Sequence, residues 1–439
     1  DLDNDGKLDL VFASGTTADP GRAQVNSWSL PNSTTKASWP MLRRTPDHRA
    51  TFAQSCPLPR ARFDFNGDCR ADILWRNSDT GANTIWFMNG AASTPRSITT
   101  VADQNWRPAG VGDFNGDRRA DILWRNSATG ANTIWFMSGA RGSSRSLPQL
   151  RDGSWRVAGT GDFNGDGRAD ILWRNATSGS NAIWTVSGAG AVTGYTIARV
   201  ADQSWRVVGT GDFNGDRKAD ILWRNSATGA NTIWFMNGTG VRLGPIRSVN
   251  DQRWAIAGTG DFNGDGRSDI LWRNSATGAN TIWLMNGTSL SARSIPGVSA
   301  GSWQIAADGD YNGDRKADIL WRNMSTGANT IWFMNGATRL ASASTTAVRQ
   351  TSWRIVGNST IGTGPSTGPA EALSEASGVE PLADEPGAPP EPGDAVAMAV
   401  ADEASEIMLL EEPGEALPID APEEMPATTS QIYLPSLSR

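Results

Sequence analysis

A fifteen-residue phrase, Gly-Asp-Phe-Asn-Gly-Asp-x-x-x-Asp-Ile-Leu-Trp-Arg-Asn, recurs down this chain with little change. Its first Asp stands at 64, 113, 162, 212, 261 and 310, a period of 49 or 50 residues. A looser copy, Asp1-Leu2-Asp3-Asn4-Asp5-Gly6-Lys7-Leu8-Asp9, lies 63 residues before the next one. A fixed period of about 20–50 residues marks a supersecondary unit that cannot bury its apolar face alone, so neighbouring units must stack.

The unit at 103–151 shows what stacks. Trp106-Arg107-Pro108-Ala109-Gly110 is an extended run leading into an Asp-rich loop at 113–121. Ile122-Leu123-Trp124-Arg125, Thr133-Ile134-Trp135-Phe136-Met137 and a weaker run around Arg145-Ser146-Leu147 follow, separated by Gly, Asn and Ser turns. Four short β-branched or aromatic runs between turn clusters predict a four-stranded antiparallel meander. Helical periodicity is absent, which excludes a helical solenoid. Radial stacking of such sheets gives an all-β propeller with short, protected edges. Each unit brings three Trp, as at 106, 124 and 135, and each Trp supplies roughly 150–250 Å² to bury between sheets that are otherwise polar.

Ring closure also leaves a trace. Every full unit has a Trp-led run before its loop, but the sequence begins at a loop, and Ser352-Trp353-Arg354-Ile355-Val356-Gly357 has no loop after it. The economical expectation is that this last run completes the blade begun at Asp1, giving a seven-bladed β-propeller over residues 1–359. Residues 31–60 are the irregular stretch, read either as an insertion or as a junction. In the second case residues 1–55 are an N-terminal remnant and the complete ring has six blades.

The nine-residue loop carries oxygen side chains at its first, third, fifth and ninth positions. These are Asp1, Asp3, Asp5 and Asp9; Asp64, Asn66, Asp68 and Asp72; Asp113, Asn115, Asp117 and Asp121; Asp162, Asn164, Asp166 and Asp170; Asp212, Asn214, Asp216 and Asp220; Asp261, Asn263, Asp265 and Asp269; and Asp310, Asn312, Asp314 and Asp318. Carboxylates with an amide, and no nitrogen or sulfur donor, make a hard-oxygen set that suits Ca²⁺ better than Mg²⁺. An EF-hand is excluded, because it needs flanking helices and a Glu at position twelve, where Trp124 stands. The competing reading is Asx-turn scaffolding, since Asp, Asn and Gly also build ordinary turns. Up to seven structural calcium ions are expected. Position six is Gly in Gly6, Gly167 and Gly266 but Cys69, Arg118, Arg217 and Arg315 elsewhere. Those four loops are expected to bind more weakly, with the Gly at position four taking the bend in their place.

These loops in a fixed strand context resemble the FG-GAP/VCBS repeat family, with its Asp-x-Asn/Asp-x-Asp-Gly-x-x-Asp loops similar to those of integrin α-subunit propellers and of several secreted bacterial repeat proteins and lectins. The resemblance spans about residues 1–358. It implies a calcium-stabilised propeller that is extracellular or on the cell surface and is used for binding or adhesion. The Phe-Gly and Gly-Ala-Pro words that named the family are absent, so its members' ligand specificities do not transfer.

Composition narrows the function. The chain has one His and two Cys, which excludes His- or Cys-ligated metal centres and argues against a His-dependent hydrolase. No apolar run is long enough to span a bilayer. Residues 360–439 carry 16 acids against one base, Arg439, leaving residues 1–359 with 30 of the 46 acids and 38 of the 39 bases. The acidic Pro/Glu/Ala-rich segment is expected to be a disordered tail. Of the 30 acids, 22 stand in loops, so little remains for acid–base work and the protein is read as no enzyme. The leading function is an extracellular or cell-surface binding module for a protein or glycan ligand. The alternative is a non-catalytic repeat appendage of a secreted enzyme. Trp124-Arg125-Asn126 and its copies are either glycan platforms or inter-blade core with solvated Arg. Nucleic-acid binding is not expected, because the Arg recur singly without forming a stripe. Cys56 and Cys69 are either a disulfide or two free thiols.

Overall fold

The computed structural model describes residues 9–14, 24–29 and 62–357. Two compact units divide the chain between Ser55 and Cys56. In the first, strands Asp9–Ser14 and Gln24–Ser29 pair antiparallel, from Asp9 opposite Ser29 to Ser14 opposite Gln24. The irregular stretch 31–60 and the acidic tail both lie outside the described residues.

In the second unit the described residues form six four-stranded antiparallel sheets and no helix. Blade 2 is typical: Trp106–Gly112, Asp121–Asn126, Asn132–Ser138 and Arg141–Leu147 lie side by side in chain order. The four runs read from the sequence are these strands, each slightly longer than expected. Blades 3 to 6 repeat the order from inner strands Trp155–Gly161, Trp205–Gly211, Trp254–Gly260 and Trp303–Gly309.

Blade 1 corrects the expected ring. Its inner strand is the C-terminal Trp353–Ile355, which pairs with Ile73–Asn77, followed by Asn83–Asn89 and Ala92–Ile98. The last strand therefore completes the blade of the second loop copy, not the one begun at Asp1. The wheel has six blades, and the seven-bladed count is wrong. Side-chain register gives the reason. In blades 2 to 4 the Arg after the leading Trp faces the Arg of Trp-Arg-Asn, as Arg107 faces Arg125 and Arg156 faces Arg174. Arg354 finds its match in Arg76, whereas the strand after Asp9 reads Leu-Val-Phe-Ala-Ser and has no such partner.

Contacts between neighbouring blades show the closure. The amide of Ala120 bonds the carbonyl of Asp64, and the same loop-to-loop bond runs round the wheel until Ala71 bonds Asp310 at 2.6 Å. Hydrophobic clusters bridge each pair of neighbours, and the one holding Ile73, Trp75 and Ile355 with Leu320 and Ile331 joins blade 1 to blade 6. Near the axis the strands approach closely. A Cβ on Gly110 would meet Thr160 Cγ2 at 2.4 Å, so only glycine fits there. The Thr160 hydroxyl donates to Val111 O, Thr210 to Thr160 O, and Thr259 to Thr210 O.

Candidate functional site

In blades 2 to 6 each loop joins the inner strand to the second strand, and the loop at 64–72 leads into the second strand of blade 1, so all six described loops sit at one end of the wheel. In the copy at 113 the Asp113 carboxylate accepts the amides of Gly116 at 2.7 Å and Arg118 at 2.8 Å. Asn115 Oδ1 accepts Asp117 N at 2.7 Å, and Asp117 Oδ1 accepts Arg119 N at 2.9 Å. Asp121, fully buried, accepts Phe114 N through Oδ2 and Met137 N through Oδ1, tying the loop to the third strand. The pattern recurs in four of the other five loops, as with Asp318 and the amides of Tyr311 and Met334, while in the loop at 162 Asp170 takes only the Phe163 amide, through Oδ2. The four expected positions are thus gathered within each loop and bound to backbone amides in Asx-type turns. Among the described residues no three acidic side chains form a cluster able to hold a metal ion. In the copy at 1–9, Asp1, Asp3 and Asp5 lie outside the described residues, and of Asp9 only the backbone strand is described.

The backbone at position six differs from expectation. Position-four glycines such as Gly116 have φ near +80°, but position six is left-handed too: Cys69 at +73°, Arg118 at +75°, Arg217 at +67° and Arg315 at +69°. Both residues bend the loop, so the side chains at position six carry real strain, of about 1–3 kcal/mol each. Cys69 is also disulfide-bonded, which answers half of the cysteine question. The chain's other cysteine, Cys56, lies outside the described residues.

Charge makes these loops uneasy neighbours. Burial, opposed by the Met137 and Phe114 amides and reinforced by Asp117 and Asp113, pushes the Asp121 carboxyl up to about 8. The same causes raise Asp72 and Asp318 to about 8 and Asp170, Asp220 and Asp269 to about 7. The donor chemistry, carboxylate and amide oxygens with spare lone pairs, fits a hard divalent cation.

The Trp-Arg-Asn copies are neither glycan platforms nor solvated surface. Trp75, Trp124, Trp173, Trp223, Trp272 and Trp321 are at most 1% exposed. Each stacks on the third-strand Trp of its own blade, as Trp124 on Trp135 with centroids 4.8 Å apart. The Arg of the preceding blade covers it: Arg125 lies 4.9 Å from the Trp173 ring centre, and Arg322 lies 4.8 Å from Trp75, closing a ring of six. Arg125 Nη1 donates to Gly130 O and Asn132 Oδ1, and Nη2 donates to Leu150 O and Trp155 O. Burial, then the neighbouring Arg156, lowers the Arg125 pKa to about 10. The guanidinium is a half-buried latch between blades. Its planar fork suits four acceptors in a way that a lysine would not.

One departure from the repeat stands apart from the loops. Asp308 stands where Thr160, Thr210 and Thr259 stand on the other inner strands, and its carboxylate is buried. Arg62 reaches across to Thr210 Oγ1 at 2.9 Å, and the charge of Asp308 opposes the desolvation that lowers the Arg62 pKa. Tyr311 replaces the loop Phe beside them, and burial followed by Asp308 holds its hydroxyl well above the usual range. The signal was visible: Asp308 is one of the eight acids outside the loops, within Ala307-Asp308-Gly309 where blades 3 to 5 read Gly-Thr-Gly.

The FG-GAP-like repeat matches residues 64–124, 113–173, 162–223, 212–272 and 261–321, more than half of the chain. The chain belongs to the FG-GAP repeat family. Comparison with curated proteins finds no match. Among solved structures it is similar to an Agrocybe aegerita lectin that recognises non-reducing terminal N-acetylglucosamine, at 16% identity and a TM-score of 0.45, covering 68% of this chain and 89% of that one. It is also similar to a candidate 6-phosphogluconolactonase from Bacteroides fragilis, at 13% identity and a TM-score of 0.37, covering 66% and 98%. At these scores the likenesses carry no functional argument.

Proposed function

We propose that this FG-GAP repeat propeller is a calcium-stabilised, non-catalytic binding module that works outside the cell. The observation that carries the reading is the set of six Asp-rich loops held in register at one end of a closed wheel. Each loop packs three carboxylates and an amide oxygen into nine residues, and their repulsion contributes to the raised pKa of the ninth Asp. A dication would relieve that repulsion. The first, third, fifth and ninth residues would hold it, supplying charge compensation and no chemistry. The disulfide at Cys69 supports an oxidising compartment. Equivalent surfaces repeated six times favour multivalent capture of an extended ligand such as a glycan or matrix protein.

The test is calorimetric melting with 1 mM CaCl₂ and with EDTA, followed by a panel of glycans and matrix proteins. At dissociation constants of about 10⁻⁴–10⁻³ M, each site contributes roughly 0.4–1.4 kcal/mol at that calcium level. Six sites together amount to several kcal/mol, enough to raise the Tm plainly. Identical melts in calcium and EDTA would refute the structural-calcium part, and an empty ligand panel would refute the binding part.

A further inference from the structure

The inner strands carry an arc of free arginines at the end of the wheel away from the Asp-rich loops. Arg354, Arg107, Arg156 and Arg206 each follow the leading Trp of their strand, in four consecutive blades, 1 to 4. All four are exposed, and none makes a hydrogen bond or ion pair with a described residue. Each lies directly opposite a latch arginine: Arg354 faces Arg76, Arg107 faces Arg125, Arg156 faces Arg174 and Arg206 faces Arg224. Like charges placed directly opposite destabilise a strand pair. The fold tolerates a neutral residue there, because blade 5 has Ala255 opposite Arg273 and blade 6 has Gln304 opposite Arg322. Four repulsive pairs in a row, ending at two neutral blades, break the sixfold repeat in a directional way.

The nearby acids keep their charge but form no ion pair with an arc arginine; their oxygens are turned to neutral amides. Asp103 Oδ2 accepts Asn126 Nδ2, Asp152 Oδ2 accepts Asn175 Nδ2, and Asp202 Oδ2 accepts Asn225 Nδ2, while their Oδ1 atoms cap the amides of Asn105, Ser154 and Ser204. The latch arginines behind have their donors committed to backbone and amide oxygens, so they add fixed positive charge without being free to bind a ligand. A planar guanidinium with open donors matches carboxylate or sulfate oxygens two at a time. The large exposed apolar side chains among the described residues are Tyr195 and Leu340, and neither lies in the arc; of the Trp beside its arginines, Trp155 and Trp205 are buried and Trp106 and Trp353 half-buried.

We propose that this arc binds a linear anionic polysaccharide, laid across blades 1 to 4 with one acidic group per arginine. The proposal rests on the binding-module reading and names its ligand class and face. The test is titration of the full chain at about 50 mM salt with polygalacturonate for carboxylate, heparin for sulfate, neutral dextran and a single-stranded oligonucleotide. The variant is Arg107→Gln with Arg156→Gln, Arg206→Gln and Arg354→Gln, since Gln304 shows that glutamine suits this register position. Its control makes the same charge change on exposed outer-strand residues, Arg96→Gln with Arg141→Gln, Arg145→Gln and Arg293→Gln. The arc variant should bind at least one of the two polyanions about tenfold more weakly or worse, the control should stay near wild type, and the difference should shrink as salt screens exposed charges. The opposite change, Ala255→Arg with Gln304→Arg, should extend the arc into blades 5 and 6 and tighten binding. Equal loss in arc and control variants, or oligonucleotide binding as tight and as arc-dependent, would overturn the proposal. So would polyanion binding that appears only after residues 360–439 are deleted, which would assign the arc to the chain's own acidic segment. If polyanions fail while neutral glycans or matrix proteins still bind, this inference falls and the binding-module reading stands.

Discussion

Replacing Arg125 with Met tests whether the wheel is held shut by its guanidinium latches. Methionine keeps an apolar stem over Trp173 but removes four donated hydrogen bonds, at 3.2 Å to Gly130 O, 3.0 Å to Asn132 Oδ1, and 3.1 Å to both Leu150 O and Trp155 O. Hydrogen bonds to a charged group contribute about 1.5–3 kcal/mol each, and acceptors left buried without a donor cost a similar amount. The site is partly buried, so water recovers some of this, and the stack on Trp173 adds about 0.5–2 kcal/mol. A loss of about 3–6 kcal/mol follows, a large fraction of the 5–15 kcal/mol net stability typical of a domain. Urea denaturation of wild type, Arg125→Met and Arg125→Lys measures it, with lysine expected in between because it keeps the charge and loses the fork. Arg156→Gln is the internal control. That residue is exposed, unpaired and repelled by its neighbours, so its loss should change stability by less than about 0.5 kcal/mol or improve it. If Arg125→Met costs under about 1 kcal/mol, or Arg156→Gln costs as much, the latch reasoning is wrong.

Two further outcomes are expected. The ninth-position Asp side chains have folded pKa values near 7 or 8 against an ordinary 3.8, so between those values the folded state binds more protons than the unfolded one. Stability in EDTA should therefore fall as pH rises from about 4 to 8, and a Tm that climbs over pH 5 to 8 would contradict this. Arg118→Gly, relieving a left-handed φ of +75°, should raise the Tm by about 1–3 °C, and a fall of that size would show that the strain is absent.

Much of this was legible in the residues. The strand runs, the loop and the three Trp per unit are local patterns with a fixed period, and the structure returns them almost unchanged. Closure is half legible: the seven-bladed expectation fails and the six-bladed alternative holds, and Trp353-Arg354 carries the signal for it, because its partner has to be a Trp-Arg-Asn strand, which the copy at Asp1 lacks. The role of the Arg in Trp-Arg-Asn was not legible either, because a charged side chain at the end of a strand gives no hint that the next blade packs against it.

By itself the sequence determined the blade, since strand period, turn residues and loop ligands are all set by neighbours within about fifty residues. Only the tertiary structure decided the number of blades, the burial of the six Trp-Arg pairs, and which arginines stay free. Each of these depends on which surfaces meet across the ring, and a repeat that is nearly identical in every copy looks the same from within any one of them.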